Sequence, residues 1–377
     1  MASVKKYETA KGYAWRVQYR SPDGKSRTKQ GFRTKNEAQA WADKNATTIR
    51  EGEWIDPNAG RVKIKELGER WLAMQTHLKP STLATTKNAW ENHVKPLWGE
   101  RAIATIQPSE VQSWLSTMTV RGFRKGEEIQ VPASASMVRK AHAVLAQILD
   151  MAVVDGKLKS NPARGVKLPK KAKPVNVFLT PVQLRTLADE CSTKSEIVWL
   201  LGTVGLRWGE LAGLQVGDVD FLRGRITVRR NAVTVANRVV VGTPKSHEAR
   251  VVGVPRFVVE MLEPLTRGKA KGDWLWEREC GGPLVLPSKG SFFHEAVRRV
   301  CDADPEFPAV TLHGLRHVAA GLMVRSGANV KVVQRQLGHA SAAMTLDTYA
   351  ELFESDVDEV AARVDECFSG VVGLSCG

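Results

Sequence analysis

The feature that most constrains the fold is a basic, proline-containing stretch at residues 156–174. It contains seven Lys or Arg side chains, no Asp or Glu, and prolines at positions 162, 169 and 174. Proline removes a backbone donor and neighbouring like charges repel one another, so such a segment favours an extended conformation. A chain of 377 residues is long enough for separate cores on either side of it. We therefore predict a multidomain protein in which this stretch is a linker.

A second basic zone lies at residues 5–35, where ten Lys or Arg side chains face two acidic ones. The two zones together account for the whole net charge of +15. Two concentrated basic zones indicate two places where a polyanion is bound, although either zone alone is also compatible with a solubilising surface or a disordered linker. In the 156–174 stretch the predicted DNA contacts are Lys170, Lys171 and Lys173.

The N-terminal unit, residues 1–58, is predicted to be a small sheet backed by one helix. Residues 12–19 alternate aromatic or apolar side chains with polar ones, which is the period of a strand. A turn and a second strand follow, and the capping box at 34–37 begins a helix. A ribbon of this width can enter a DNA major groove, although a basic domain without sequence preference has the same pattern. The side chains expected on its open face, and predicted to contact DNA, are Arg16, Arg20, Arg27 and Lys29.

Residues 59–168 are predicted to form an all-α unit. Apolar residues recur there at helical spacing, and the last helix stops at Gly156. This unit is either a clamp that grips DNA or a packed bundle, and the sequence does not separate the two. The remaining residues, 169–377, are predicted to form the last domain, which opens with a capping box at Thr180. The predicted helices of the second unit span residues 64–75, 81–94, 109–117 and 136–154.

Composition excludes several other classes of protein. No run approaches the roughly eighteen apolar residues that a membrane helix needs, and the N-terminus lacks the apolar core of a secretory signal, so we expect a cytoplasmic protein. The five cysteines are widely spaced and form no CxxC pair, which argues against a zinc ribbon or a disulfide framework. No P-loop and no carboxylate cluster is present, so neither ATP nor a metal is expected as a cofactor.

Four segments of the last domain carry residues suited to chemistry. Taken singly, each has an ordinary interpretation: a structural Arg–Glu pair, an exposed hairpin lysine, core histidines and a packed helix tyrosine. His313 and His317 have the i, i+4 spacing of a zinc site, but Gly314 stands where HExxH has its Glu, and no third ligand is near. No metal site is predicted. The candidate residues, in chain order, are Arg207, Glu210, Lys245, His313, Arg316, His339 and Tyr349.

Taken together, these segments resemble the tyrosine recombinases, the phage integrase family. Its pattern, Arg … Lys … His-x-x-Arg … His/Trp … Tyr, is met in order here, within Thr-Val-Gly-Leu-Arg-Trp-Gly-Glu-Leu, His-Gly-Leu-Arg-His and Leu-Gly-His. One departure, Ala350 after the tyrosine where many relatives have His, lies outside the catalytic set. The resemblance and the element pattern predict a multidomain α+β fold. Its parts are an N-terminal β-sheet and helix, an all-α core-binding domain, and a mainly α catalytic domain with a small antiparallel sheet.

The resemblance implies that Tyr349 attacks a DNA phosphate and forms a covalent 3′-phosphotyrosine. Arg207 and Arg316 would hold the phosphate oxygens in forked geometry, with further hydrogen bonds from His313 and His339. A tyrosine hydroxyl has a pKa near 10 and needs a base, for which His313 is the candidate. Lys245 would protonate the leaving 5′ oxygen, and Glu210 would orient Arg207 or His313.

The expected partner is double-stranded DNA, with arm-type sites for residues 1–58 and core-type sites for the rest. In the family a C-terminal helix docks on a neighbouring protomer, so residues 354–368, apolar on one face, imply a homo-tetramer on DNA. A host DNA-bending protein and a directionality factor are further expected partners. A temperate-phage integrase is the leading interpretation. The alternatives are a type IB topoisomerase, a resolvase or transposon recombinase, and a catalytically silent DNA-binding protein.

Overall fold

The computed structural model describes residues 2–10, 12–124, 127–172, 176–235, 238–244, 248–288, 290–353 and 357–368. By its internal contacts the chain divides into two units, residues 1–172 and 173–377. The division falls inside the basic stretch singled out by the sequence. No helix among the described residues is long and apolar enough to cross a membrane.

The first unit begins with an antiparallel sheet of three strands, β1 (Ser3–Thr9), β2 (Gly12–Arg20) and β3 (Ser26–Phe32), in the order β1-β2-β3. Helix α1 (Lys35–Arg50) follows, and the Thr34–Glu37 capping box is formed at its start. A small core of Val17, Ala38 and Ala42 joins the sheet to the helix. Burial of this apolar stripe fixes which face of β2 turns inward, because strand side chains alternate between faces.

The strand register corrects the expected open face. Arg27 is paired with Tyr19, and Lys29 with Val17, so both lie on the helix side of the sheet. Opposite residues of an antiparallel pair share one face, and Val17 is buried against α1. The prediction that Arg27 and Lys29 lie on the open face beside Arg16 is therefore wrong.

Arg27 is also neutralised by its neighbours. Its two terminal nitrogens each lie 2.7 Å from a carboxylate oxygen of Asp56, and one lies 3.3 Å from Asp23. The guanidinium stands 5.3 Å over the ring of Trp54. A forked Arg–carboxylate pair stacked on an aromatic ring is a packing arrangement, so the structure gives Arg27 a structural role.

The rest of the first unit is mainly helical. Its core contains three buried tryptophans, Trp71, Trp90 and Trp98, within a cluster of apolar side chains from several helices. Residues Trp90–Val94 form a turn of π-helix that continues α3. The helices are α2 (Ile64–Ala73), α3 (Pro80–Ala89), α4 (Lys95–Trp98), α5 (Pro108–Thr117) and α6 (Ala135–Val154).

The expectation that residues 59–168 are all-α is wrong in one element. Strands β4 (Thr119–Arg124) and β5 (Glu127–Pro132) pair into an antiparallel hairpin between α5 and α6. The hairpin buries little apolar surface, and Phe123 on β4 is 75% exposed. A strand without a buried face leaves only a weak periodic signal, which explains why the sequence pattern did not predict it.

The second unit combines helices with two small antiparallel sheets, ordered β10-β7-β6 and β8-β9. The apolar helix α8 is buried in its core and packs against α12. The multidomain α+β class is thereby confirmed. The elements are α7 (Pro181–Glu190), α8 (Ser195–Val204), α9 (Trp208–Ala212), β6 (Val219–Asp220), β7 (Arg225–Val228), β8 (Asn231–Val235), β9 (Arg238–Gly242), β10 (Arg250–Gly253), α10 (Arg256–Leu262), α11 (Phe292–Ala303), α12 (Gly314–Arg325), α13 (Val330–Leu337), α14 (Ala342–Phe353) and α15 (Val357–Phe368).

The role of Arg27 can be tested by stability. Replacement Arg27→Ala leaves Asp56 and Asp23 without their shared cation, so the N-terminal sheet should unfold at a lower urea concentration. Arg20→Ala is the matched control, because Arg20 is exposed and forms no ion pair in the part of the chain described. Tryptophan fluorescence during urea unfolding reports the midpoint. Equal midpoints for the two variants would contradict the structural role.

Candidate active site

Arg207 is placed by the end of α8. That helix stops at Gly205, whose φ of +76° lies in the left-handed region. A Cβ at Gly205 would lie 2.5 Å from the Leu337 side chain, so the glycine also permits the close approach of α13. Arg207 is the N-cap of α9 and has an extended conformation. Its Nη2 donates to the carbonyl oxygen of Gly338 at 3.3 Å.

Glu210 is the anionic centre of the site and is only 1% exposed. Its Oε1 accepts from Arg207 Nη1 at 2.8 Å, and its Oε2 accepts from the Arg207 backbone N–H at 3.0 Å. Burial alone would raise the pKa of Glu210, but hydrogen bonds from Arg250 and Arg207 outweigh it and hold the pKa at about 2. Glu210 is therefore ionised at neutral pH and fixes Arg207. No contact joins it to His313 among the described residues.

Arg250, the first residue of β10, is a member of the site that the sequence pattern did not identify. Its two terminal nitrogens donate to the two carboxylate oxygens of Glu210 at 2.9 and 2.7 Å, and its Nε donates to the Gln336 carbonyl oxygen at 3.4 Å. A Cβ at Gly338 would lie 2.7 Å from that Nε. The sequence shows only that a charged residue stands at the start of an apolar strand. This pattern is common and is weak evidence for a site residue.

Arg316 is almost completely buried, with 3% of its surface exposed. Its Nη1 donates to the carbonyl oxygen of Gly205 and its Nη2 to that of Leu337, both at 2.6 Å. Burial and the nearby charge of Arg207 lower the pKa of Arg316 to about 9, which keeps the guanidinium protonated at neutral pH. Carbonyl oxygens accept its hydrogen bonds but carry no full negative charge. The positive charge of Arg316 is therefore not neutralised and can attract an external anion.

The three arginines converge on one helix end. The successive carbonyl oxygens of Gln336, Leu337 and Gly338 accept from Arg250, Arg316 and Arg207 respectively. The last carbonyls of a helix lack partners within the helix and carry a partial negative charge, so guanidinium groups satisfy them. Three cations and the single carboxylate of Glu210 leave a positive excess, which suits a phosphate diester.

His339 follows directly after this helix end. Gly338 caps α13 with φ +68°, and the next residue, His339, has its Nδ1 2.9 Å from the Thr345 hydroxyl. Burial and the charges of Arg316 and Arg207 lower the pKa of His339 to about 4, so its ring is neutral at pH 7. A neutral ring anchored at Nδ1 can offer an N–H at its other nitrogen.

His313 lies immediately before α12 and is exposed. Its ring meets that of His317 edge-on, with 5.4 Å between centroids. Partial desolvation and the charge of Arg316 lower the pKa of His313. His313 therefore stands at the rim of the site, one helical turn before Arg316.

Tyr349 is held inside the site rather than at its surface. It is 2% exposed, and its hydroxyl lies 2.9 Å from Nδ1 of His317. Its ring stacks nearly parallel to that of His339, at 6.2 Å between centroids. Burial raises the pKa of Tyr349, against the opposing charge of Arg316. The residue that contacts the hydroxyl is thus His317, for which the sequence favours an ordinary core position, and not the expected base His313.

The structure therefore brings most of the predicted site residues together. Arg207, Glu210, Arg316, His339 and Tyr349 form one cluster, with His313 at its edge. Lys245 and Lys173 lie outside the described residues. Lys170 and Lys171 are exposed at the end of the first unit. No group of His, Cys, Asp or Glu side chains in the described ranges is arranged to hold a metal ion.

Comparisons with known proteins agree with this geometry. Family models match residues 177–355 (phage integrase family), 63–119 (phage integrase, N-terminal SAM-like domain) and 3–49 (Arm DNA-binding domain). The integrase of Mycobacterium phage L5 is 27% identical over 336 residues, 84% of this chain and 85% of that protein. The chain belongs to the phage integrase family of tyrosine recombinases, the enzymes that break and rejoin DNA strands.

Solved structures share the fold. The Tn1549 transposon integrase in complex with a circular intermediate DNA aligns with a TM-score of 0.66 at 19% identity, over 81% of this chain and 99% of that one. A lambda integrase tetramer bound to a Holliday junction aligns with a TM-score of 0.56 at 17% identity, over 89% of this chain and 96% of that one.

The buried carboxylate makes a pH-dependent contribution to stability. The folded pKa of Glu210, about 2, lies below the ordinary value of 4.5, so ionised Glu210 contributes about 3 kcal/mol at neutral pH. Because the folded pKa is depressed, this stabilisation is complete above pH 4.5 and is lost as the pH falls toward 2. Glu210→Gln should therefore differ most from the unmodified protein at neutral pH. Urea unfolding between pH 7 and 3 measures the difference.

Glu260→Gln is the matched control, because Glu260 is an exposed partner of Arg256. It should change the free energy of unfolding little at any pH. A difference for Glu210→Gln that stays constant from pH 7 to 3 would contradict the assigned ionisation of the carboxylate.

Proposed function

We propose that this recombinase integrates and excises phage DNA at attachment sites, with Tyr349 as the nucleophile of a covalent 3′-phosphotyrosine intermediate. The observation that carries the proposal is the convergence of Arg207 and Arg316 on the helix end beside Tyr349. The integrase of phage L5 and the Arm DNA-binding match support integration in particular.

The arginine cluster is proposed to bind the scissile phosphate. Arg207 and Arg316 direct forked N–H donors at the non-bridging oxygens, and their charge compensates the charge that builds up on those oxygens during in-line attack. Glu210 and Arg250 hold Arg207 in place before DNA arrives. Such preorganised donors typically stabilise a transition state by about 3 kcal/mol each.

Cleavage exchanges one phosphoester bond for another. The Tyr349 oxygen bonds to phosphorus and loses its proton, while the bond from phosphorus to the 5′ oxygen breaks and that oxygen gains a proton. Lys245 is proposed as the acid that supplies this proton, and a histidine of the site as the acceptor of the first. A 5′ hydroxyl from another strand then attacks the phosphotyrosine and reverses the exchange. No external energy source is needed, because the phosphotyrosine bond retains the energy of the phosphodiester bond that was broken.

Three parts of the chain are proposed to bind different parts of the DNA. Residues 1–58 would bind arm-type sites, while residues 59–168 and 169–377 would bind the core-type site. The open face of the N-terminal sheet carries Lys5, Arg16 and Arg20, which belong to one side of the register. The exposed Lys170 and Lys171, with Lys173, would contact the phosphate backbone.

The active assembly is proposed to be a homo-tetramer on DNA. Helix α15 leaves Val364 and Phe368 49% and 53% exposed. Apolar side chains spaced by four residues on an exposed helix suit a docking face on a neighbouring protomer. The lambda integrase of similar fold was solved as a tetramer on a Holliday junction. A host DNA-bending protein and a directionality factor are proposed as accessory partners, in the cytoplasm of a bacterial host cell.

The nucleophile can be tested directly. Tyr349→Phe removes only the hydroxyl, so DNA binding should persist while covalent attachment to a nicked core site is abolished. Denaturing gels show the adduct, and peptide mass spectrometry maps it. Tyr13→Phe is the control, since Tyr13 is exposed on the N-terminal sheet. An adduct formed by the Tyr349→Phe protein would overturn the assignment.

The arm-binding face can be tested by salt dependence. Replacing Arg16 and Arg20 together by Ala should weaken arm-site binding and reduce the salt slope by about 2, if each contacts one phosphate. Lys29→Ala is the control from the helix side of the sheet. Core-site cleavage should be retained in both variants. An unchanged salt slope in the double variant, or a larger change in the control, would contradict the assigned face.

A further inference from the structure

The hydroxyl of Tyr349 is not accessible to a phosphate in the DNA-free protein. Tyr349 is 2% exposed, and its oxygen lies 2.9 Å from His317 Nδ1. In-line attack requires the oxygen to approach phosphorus to about 3–3.5 Å with an open path. A buried hydroxyl turned toward a side chain of its own protein does not meet that requirement. In the DNA-free protein the tyrosine is therefore buried with its hydroxyl directed at His317.

We propose that His317 and Asn176 are positioning residues that hold Tyr349 concealed in the DNA-free protein and release it when DNA binds. The inference rests on the proposed role of Tyr349 as nucleophile. His317 holds the side chain, and Asn176 holds the backbone beside it.

His317 is suited to hold a neutral tyrosine. Burial, with the charges of His313 and Arg316, lowers the pKa of His317 to about 4, so its ring is uncharged at pH 7. An uncharged Nδ1 accepts a hydrogen bond from the Tyr349 hydroxyl, which favours the protonated phenol. A ring with so low a pKa is a poor acceptor for the proton of Tyr349, because burial raises the pKa of this phenol above its ordinary value. Holding the hydroxyl therefore fits His317 better than deprotonating it.

Asn176 holds the chain next to the tyrosine. Its Nδ2 donates to the carbonyl oxygen of Thr348 at 2.9 Å. Helix α14 is broken at Tyr349 itself, where φ is −130° and ψ is 16°. A break disturbs the regular helical hydrogen bonds around it, so a side chain that binds the adjacent carbonyl helps to fix the tyrosine backbone.

The place of Asn176 in the chain links this contact to DNA. Asn176 follows the basic stretch 156–174 by two residues, and Phe178 beside it packs in the same apolar cluster as Tyr349. The segment that leaves the proposed DNA-contacting linker is thus attached directly to the nucleophile's surroundings. A shift of this segment on DNA would loosen the Asn176–Thr348 bond first and the His317–Tyr349 bond with it.

Three variants separate the two contacts. His317→Phe keeps a ring of similar size but has no acceptor, whereas His317→Asn places a polar group near the former Nδ1. Asn176→Asp keeps the size of the side chain but cannot donate to Thr348. His294→Phe, at an exposed histidine on α11, is the matched control.

The first measurement is nitration of the DNA-free protein by tetranitromethane, with each tyrosine followed by peptide mass spectrometry. Tyr13, which is 65% exposed, is the internal reference. Nitration of Tyr349 relative to Tyr13 should rise about fivefold in His317→Phe and in Asn176→Asp, the factor expected for loss of one ordinary hydrogen bond. His317→Asn should restore part of the protection. Unchanged nitration in both variants would overturn the proposal.

The second measurement is single-turnover cleavage of a nicked core site at several DNA concentrations. A concealed state lowers apparent affinity, so its removal should lower the half-saturating DNA concentration of the His317→Phe protein by about fivefold. A hundredfold loss of the maximal rate would instead identify His317 as the proton acceptor and overturn the proposal. Failure of the unmodified protein to form an adduct on Tyr349 would refute the proposed function itself. A normal adduct with unaltered nitration would refute only this inference.

Discussion

The candidate active site depends on the hydrogen bonds that arginine side chains donate to the carboxyl end of α13. Three consecutive carbonyl oxygens there each accept from one guanidinium, which comes from β10, from α12 and from the N-cap residue of α9. These arginines are far apart in sequence, and mutual repulsion would drive them apart in isolation. The helix end satisfies its own unpaired carbonyls by accepting them. Glu210 supplies the only opposing full charge within the described cluster, and it binds Arg207 and Arg250 at once.

The same cluster adds to the effect of burial on the neighbouring histidines. Burial lowers the pKa of His313, His317 and His339, and the charge of Arg316 lowers each of them further. An anion bound between Arg207 and Arg316 would offset that charge and raise the pKa of these rings. The charge state of the site is therefore coupled to its occupancy. Neutral histidines suit the empty site, and hydrogen-bond donation toward a bound phosphate becomes more favourable once the phosphate is present.

The sequence predicted the fold class and the outline of the helices well, because those follow from local periodicity. The predicted segment 136–154 agrees with the observed Ala135–Val154 to within one residue. The unexpected hairpin β4–β5 has no fully buried side chain among its described residues, so it leaves no strong pattern. The misplacement of Arg27 and Lys29 has a different cause. Their face depends on which residue of β2 each one opposes, and strand register is a tertiary property that composition does not reveal.

Within the site, the sequence pointed to residues of recognisable type and order but not to their contacts. Arg250 was not identified from the sequence, and His317 was interpreted as a core histidine. The reason is that their contacts are with residues distant in the chain, Glu210 for Arg250 and Tyr349 for His317. Helix α13 joins these two halves. Its apolar residues Val333 and Leu337 pack in the cluster that contains Tyr349, while its last carbonyls bind the arginines. One short helix therefore contacts both the three arginines and the apolar surroundings of the tyrosine. Helix α12 makes the same connection, because it carries Arg316 and His317 and places Ala320 and Val324 in the cluster around Tyr349.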